Sequence, residues 1–526
     1  MQPETLFSEC IVEFLIDIFR NKMDLKYIKI LVMIILPTMA FSQRVVFNSW
    51  EGARERMQSS YWQLYNNLYY FQPNLHQTPD SSPVRHNHQS QDTTNINVIR
   101  HTTHHKFTNS IEERNCEQKE DIDYIGLISW LVFCVFVLLV GVWAGCTRNK
   151  RGPDQEHSQE QMILAGRDIN VGVGVLTMAA TWVGGGFIIG AAQGVYTRGL
   201  IWTHAPIFYS LSLVVGGLLF AKQMRDAKYF TMIDPFTQKY GKWGSVLVIP
   251  AAISEIIWCA AILSSLGSTI YIILHVDDTF SIYIAAALSL SYTVCGGAIS
   301  VAYTDVVQIL FVIVGLVLAL PFAIYHPAVG DIFEHTNRDN NVVVTKTELL
   351  GKVESYEWGM WMDTCLLCLL GGVPWQSYFQ RVLSAQSGTR SVILSFGGAL
   401  IALACCVPAL MFGVVARYTD WSNTGFSCHG PPQHENAKFV LPLCLKYLTP
   451  AVVSWIGVGV ISAAVMSSAD SSLLSSSSLI ARNIWAKLIR PGCGEQEVLR
   501  VLWCFTFINC GLATMLALQY KSVYEL

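Results

Sequence analysis

Charged residues are scarce in this chain: Asp, Glu, Lys and Arg together make up 14% of its 526 residues, against about 25% in a typical soluble domain. With 52% hydrophobic residues and a mean hydropathy of +0.38, this scarcity excludes an ordinary soluble enzyme of the same length. An excess of positive charge is missing as well. The 35 Lys and Arg are balanced by 38 Asp and Glu, so nothing supplies the basic face that phosphate backbones require, and no nucleic-acid partner is expected. There is no phosphate loop, no zinc-ligand spacing and no Ser-His-Asp set outside the polar N-terminal tail. Neither an enzymatic activity nor an enzymatic cofactor is therefore expected. Cysteine is present, but Cys134, Cys259, Cys365, Cys368, Cys405, Cys406, Cys504 and Cys510 lie in apolar runs, where a thiol acts as a small hydrophobe. The Cys365-x-x-Cys368 spacing is read the same way, as packing rather than a redox motif.

What the sequence does have is long apolar runs with polar punctuation, the pattern of an all-α polytopic membrane protein embedded in a lipid bilayer. Residues 1–42 hold a signal-like or interfacial hydrophobic segment, with Lys26 and Lys29 before an apolar core from Ile30 to Pro37. Residues 43–121, rich in Asn, Gln, Ser and His, are expected to be a disordered polar tail, its histidines solvated rather than metal-bound. A first span at 122–145 ends in Arg148, Lys150 and Arg151, which by the positive-inside rule puts the N-terminal tail outside a plasma membrane. Nine further spans are expected at 172–196, 204–221, 244–274, 279–297, 302–325, 358–380, 391–416, 443–480 and 499–519, ten in all. The basic residues Lys222, Arg225, Lys228, Lys239 and Lys242, then Arg381 and Arg390, then Arg482, Lys487 and Arg490 fall into loops expected on the cytoplasmic side. The loops 326–357 and 418–442 fall outside, where Cys428 could pair with Cys116 in an oxidising compartment.

Two spans are interrupted. The second reads Thr181-Trp182-Val183-Gly184-Gly185-Gly186-Phe187 and the seventh Gly371-Gly372-Val373-Pro374-Trp375-Gln376. A helix in lipid must satisfy its own backbone, so such breaks survive only where they line a cavity or are sealed by neighbours. Close packing through small residues explains one gap more readily than it explains both. Five spans lie from the second to the sixth and the seventh opens a second set, so each break falls in the first helix of its set, which is what an inverted-repeat transporter with a midplane substrate requires. The ninth span adds Ser467, Ser468, Asp470, Ser471, Ser472 and a run from Ser475 to Ser478. These hydroxyls either bond back to their own helix or furnish oxygen ligands for a hard monovalent cation, and the intramembrane acid Asp470 adds weight to the functional alternative.

The stretches ATWVGGG at Ala180–Gly186, APIFYSLS at Ala205–Ser212, GGAISVAYTDVVQ at Gly296–Gln308, PFAIYHPA at Pro321–Ala328, GGVPWQSYFQRVL at Gly371–Leu383 and SAAVMSSADSS at Ser462–Ser472 resemble the sodium:solute symporters, and among them the choline-carrying branch. The resemblance runs from Ile163 to the C-terminal end and includes the preceding span, but not residues 1–120. It implies a LeuT-like inverted-repeat fold, with residues 163–325 as the first repeat and 358–526 as a second repeat that lacks at least one helix and is therefore read as truncated at the C-terminus. It also implies sodium-coupled, chloride-dependent uptake of choline by alternating access, with Na+ and Cl− as the required ions. Placement in a presynaptic or vesicular membrane and homo-oligomerisation are left open.

Carried over position by position, the resemblance places sodium on the backbone carbonyls of Ala180, Val183 and Ala464 and the hydroxyls of Ser467 and Ser468. It places choline in a cage of Trp182, Tyr209, Trp258 and Trp375. A quaternary ammonium has no N–H to donate, so aromatic faces must hold it, at about 0.5–2 kcal/mol each. Trp182 and Trp375 also stand out without the resemblance, because they sit inside spans at the breaks and not at span ends, where lone tryptophans anchor to the interface. Glu255 lies three residues before Trp258 on one helical face and either tunes the charge of the site or makes a buried structural hydrogen bond. Asp305 is expected in the first turn of the sixth span, as a structural or gating group favoured by the helix dipole. The alternatives are a sodium symporter of another organic solute, or a truncated, non-transporting isoform or fragment.

Overall fold

The computed structural model describes residues 122–148, 159–330, 349–426 and 434–519. The signal-like segment, the polar tail and the Cys116–Cys428 pairing lie outside these residues, as does most of loop 326–357. The described residues build helices α1 Tyr124–Arg148, α2 Gln159–Leu164, α3 Val171–Trp182, α4 Gly185–Arg198, α5 Ala205–Gly216 and α6 Lys222–Asp226. There follow α7 Asp234–Tyr240, α8 Val248–Leu274, α9 Asp278–Ile324, α10 Trp358–Gly371, α11 Gln376–Leu383, α12 Gly388–Arg417, α13 Val440–Tyr447, α14 Ala451–Leu479 and α15 Glu495–Gln519.

Seven helical stretches among the described residues are long and apolar enough to cross a membrane: Tyr124–Cys146, Leu200–Asp226, Asp234–Leu274, Gly296–Ile324, Gly388–Arg417, Ala451–Ile489 and Glu495–Gln519. The expected second span is the pair α3 and α4, bent by 54°. The fifth contains a shorter apolar helix, Thr279–Ser291, and the seventh is divided into α10 and α11, of 14 and 8 residues. The ninth starts later than expected. Residues 443–447 belong to the separate helix α13, and α14 begins at Ala451 behind Pro450, whose ring cannot donate to a continuing helix.

Helix α9 shows how packing sets a boundary. Its 47 residues would run about 70 Å if straight, more than twice the ~30 Å hydrocarbon thickness. The helix is bent at Gly297, where φ is 55° and ψ −146°, a conformation open to glycine alone. The corner is pressed onto α2, because a Cβ on Gly297 would stand 2.6 Å from the carbonyl oxygen of Met162. Gly296 packs on α1, with its Cβ position 3.4 Å from Gly145 Cα. The two arms on either side of this corner correspond to the expected fifth and sixth spans.

The arrangement is centred on α14, which packs against α8, α9 and α15 and reaches α3, α4 and α11. From Gly457 to Leu479 every residue of α14 is buried. A helix enclosed on all sides has no lipid-facing stripe, so it can carry serines without exposing them to hydrocarbon. Helix α12 forms a second support, packing along α3, α4 and α5. Apolar faces remain on the outside, for example Val132, Val135, Phe136 and Leu139 of α1 and Leu366, Leu367 and Leu370 of α10.

Basic residues at one end of the bundle are tied down as well. Arg167 donates to the carbonyls of Lys228 and Tyr229, both at 2.9 Å. Lys487 pairs with Asp234 at 2.5 Å, and Asp234 also accepts from Thr231 Oγ1 at 3.0 Å. Replacing Gly297 by Ala should lower stability by about 1–3 kcal/mol, because the substitution forces a strained φ/ψ and a clash with Met162; thermal melting of the purified protein in detergent measures it, and an unchanged melting temperature would show that the corner is not constrained.

Candidate functional site

Helix α3 starts cleanly, with Asn170 capping Gly172 N at 3.0 Å. It ends because Val183 leaves helical geometry (φ −81°, ψ 65°) and Gly184 is extended. Ala179 O keeps the amide of Val183, but the carbonyls that follow it in α3 lose their helical donors, and α14 supplies replacements. Ser467 Oγ lies 3.1 Å from both Ala180 O and Ala464 O, and Ser468 Oγ donates to Thr181 O at 3.4 Å. Close approach is possible because the break is glycine: a Cβ on Gly184 would lie 2.5 Å from Ser468 Oγ, and one on Gly185 2.5 Å from Val465 Cγ2. Ala180, Ala464 and Ser467 are therefore brought together, Val183 forms the break itself, and Ser468 turns to Thr181, a carbonyl the sequence reading did not include.

The serines of α14 divide between bonds within the helix and bonds to other elements. Ser476 and Ser477 bond back to the carbonyls of Ser472 and Leu473 and also receive Asn509 of α15. Ser467, Ser468, Ser471 and Ser475 face the broken spans. Asp470 is fully buried.

The second break places Trp375 before α11, and four aromatic rings meet there. Trp182 of α3 contacts Tyr209 of α5 at a centroid distance of 5.5 Å and Trp375 at 5.9 Å, and Trp375 meets Trp258 of α8 edge-on at 5.6 Å. Each ring comes from a different segment, so the cluster exists only in the folded bundle. Gly372 admits the contact, since a Cβ there would lie 2.9 Å from Trp182 Cη2. Trp182 is buried, yet its Nε1 has no hydrogen-bond partner among the described residues, and the same holds for Ser210 Oγ, next to Tyr209 in sequence. Glu255 of α8 accepts from the backbone and hydroxyl of Ser377, so a buried hydrogen bond is part of its role.

Arg381 corrects the sequence reading. It was expected in a cytoplasmic loop, but it lies in α11 and is 1% exposed. Its Nη2 donates to Asp305 Oδ2 at 3.0 Å and to Ser471 Oγ at 2.6 Å, and its Nε to Thr181 Oγ1 at 3.2 Å. Asp305 also accepts from Thr177. The expectation that Asp305 caps a first turn is corrected too: it stands eight residues beyond the Gly297 corner, too deep in the helix for an N-terminal cap, and serves as the counter-ion of Arg381. This pair ties α3, α9, α11 and α14 together just beyond the sodium-site candidates. An Arg at the edge of an apolar run was the available signal, but its partner is 76 positions away.

Comparison with known proteins follows this geometry. The model of the sodium:solute symporter family matches residues 162–525. A high affinity choline transporter from Homo sapiens is 47% identical over 406 residues, 76% of this chain and 69% of that relative. One from Caenorhabditis elegans is 41% identical over 418 residues, 77% of this chain and 70% of the relative. A Na+-coupled sialic acid symporter, solved in a substrate-bound outward-open state, superimposes with a TM-score of 0.65 at 18% identity, over 76% of this chain and 83% of that one. That likeness shows the fold, a LeuT-like inverted repeat. Replacing Arg381 by Met should cost about 3–5 kcal/mol by leaving Asp305 buried without its counter-ion. Adding Asp305→Asn should recover most of the loss, and melting curves of the single and double variants in detergent would reveal a merely local role if the single variant melts like the wild type.

Proposed function

The chain belongs to the sodium:solute symporter family, and from that premise we propose that it takes up choline coupled to sodium. The observation that carries the proposal is the four-ring cluster of Trp182, Tyr209, Trp258 and Trp375 at the two broken spans. Choline presents a trimethylammonium head without N–H groups and a single hydroxyl. Aromatic faces attract such a cation in a dry site by about 0.5–2 kcal/mol each. Trp182 Nε1, buried and without a partner among the described residues, is a donor that a solute hydroxyl would satisfy. The relatives named as high affinity choline transporters support the same substrate.

Sodium would be held by Ala180 O, Val183 O, Ala464 O, Ser467 Oγ and Ser468 Oγ, with Val183 also the turn that frees the carbonyls. Hard cations prefer such oxygen donors, and half-helix ends are where transporters of this kind bind their ions. An ion bridging α3 and α14 would lock the first break beside Trp182, the ring in contact with two others of the cluster. Release of the ion would loosen the same joint, which supports alternating access by rocking of one repeat against the other. The positive-inside rule supports a plasma-membrane orientation with the N-terminus outside. Chloride dependence completes the proposal.

Uptake of labelled choline into cells expressing the protein tests these points together. Uptake should require sodium and fall when chloride is replaced by gluconate; uptake that ignores chloride would remove that anion from the scheme. Trp375→Ala should abolish concentrative uptake with the protein still at the surface, and undiminished uptake would defeat the cage. In the Ser467→Ala, Ser468→Ala double variant, the sodium concentration needed for half-maximal uptake should rise by about tenfold or more, the loss of two oxygen ligands each worth about 0.5–1.5 kcal/mol; an unaltered sodium curve would take both hydroxyls out of the mechanism.

A further inference from the structure

Helix α11 begins directly after the second break and has an unusual start. Its N-cap is Trp375, whose indole has no acceptor for the first amides of the helix. The missing acceptor comes from another helix. Glu255 of α8, 1% exposed, takes Ser377 N at 3.1 Å and Ser377 Oγ at 2.9 Å on its Oε1. One turn further along the same face of α8, Trp258 packs edge-on against Trp375 at 5.6 Å. A single face of α8 thus holds the second break at two points, by the ring of Trp375 and by the amide two residues beyond it. The contact continues inward: Ser377 Oγ lies 2.9 Å from Ser475 Oγ, and Ser475 Oγ donates to Gln380 Oε1 at 2.9 Å, which joins α11 to the helix that carries Ser467 and Ser468.

We propose that Glu255 is a positioning residue for solute binding: by capping α11 from α8, it sets where that helix starts and so holds the indole of Trp375 between Trp182 and Trp258. The inference rests on the reading of the four rings as the cation site. Glu255 acts through Ser377 and not as a counter-charge to the solute. Its Oε1 is committed to two donors of α11, and a carboxylate facing the dipole-positive start of a helix is already stabilised there. The bond that matters is an accepted hydrogen bond, which an amide oxygen can also make.

That distinction sets the experiment. Glu255→Ala and Glu255→Gln are compared with the wild type in choline uptake at equal surface expression, and in amide hydrogen exchange of the purified protein over the peptide Gly372–Gln380. Glu255→Ala should raise the KM for choline by about 10- to 100-fold, the loss of two buried hydrogen bonds, with a smaller change in maximal rate, and should speed exchange in that peptide. Glu255→Gln should stay within about threefold of the wild-type KM and keep exchange slow, because its amide oxygen preserves the cap. A Gln variant as impaired in KM as the Ala variant would overturn the proposal in favour of a charge role, and so would unaltered exchange in the Ala variant. If the wild type takes up no choline, the substrate reading fails by itself, and the exchange comparison alone then decides whether Glu255 fixes the start of α11.

Discussion

A backbone carbonyl freed in the middle of a membrane must find a donor or an ion, and the structure is organised around two places where that happens. Ending α3 at Trp182 strips Ala180 O and Thr181 O of their helical amides, and the hydroxyls of Ser467 and Ser468 stand where donors are needed. This requirement explains why α14 is buried on every side, why its serines are tolerated, and why the break is glycine: any Cβ at Gly184 or Gly185 would hold the two helices apart. The same hydroxyls and carbonyls are the oxygens a hard cation would use. A joint that can be closed by hydrogen bonds or by an ion is one whose strength depends on whether the ion is there.

The second break is satisfied differently, and the difference bears on function. Trp375 cannot cap α11, so the helix borrows an acceptor from Glu255, and its far end is neutralised through Arg381 and Asp305. All eight residues of α11 are buried, although it carries Gln376, Gln380 and Arg381. Each of these three side chains has a protein partner on a neighbouring element: Met232 N donates to Gln376 Oε1, Gln380 Nε2 donates to the carbonyl of Ile163, and Arg381 donates to Asp305 and Ser471. A short helix this heavily committed cannot shift without breaking contacts to α2, α8, α9 and α14 together. Movement of the bundle would therefore involve sets of helices and not α11 alone.

Much of this was legible in the sequence because certain residues make sense only in a particular setting. Three consecutive glycines and a Gly-Gly-x-Pro-Trp inside apolar runs are costly in a continuous helix, so the breaks could be located to within a residue or two. Trp182 and Trp375 stood out by lying at those breaks, and the structure puts them in contact. Tyr209 and Trp258 carried no such local signal, since an aromatic residue in a membrane span is ordinary; only the resemblance to a family pointed to them. Arg381 was misread for a related reason. The positive-inside rule counts charges near span ends, and Arg381 is near one, but the rule does not see the carboxylate of Asp305 that lets the guanidinium stay inside.

The sequence by itself determined that the chain lies in a membrane, how its apolar runs are divided and where two of them are interrupted, because hydrophobicity and helix-breaking residues act locally. Tertiary structure alone decided which serines reach the breaks, which partners Glu255 and Asp305 take, and whether an arginine is loop or core. Those outcomes depend on partners far away in sequence, 122 positions for Glu255 and Ser377 and 287 for Ser467 and Ala180. In a medium without water, a polar group's role is set by whichever partner the fold brings to it.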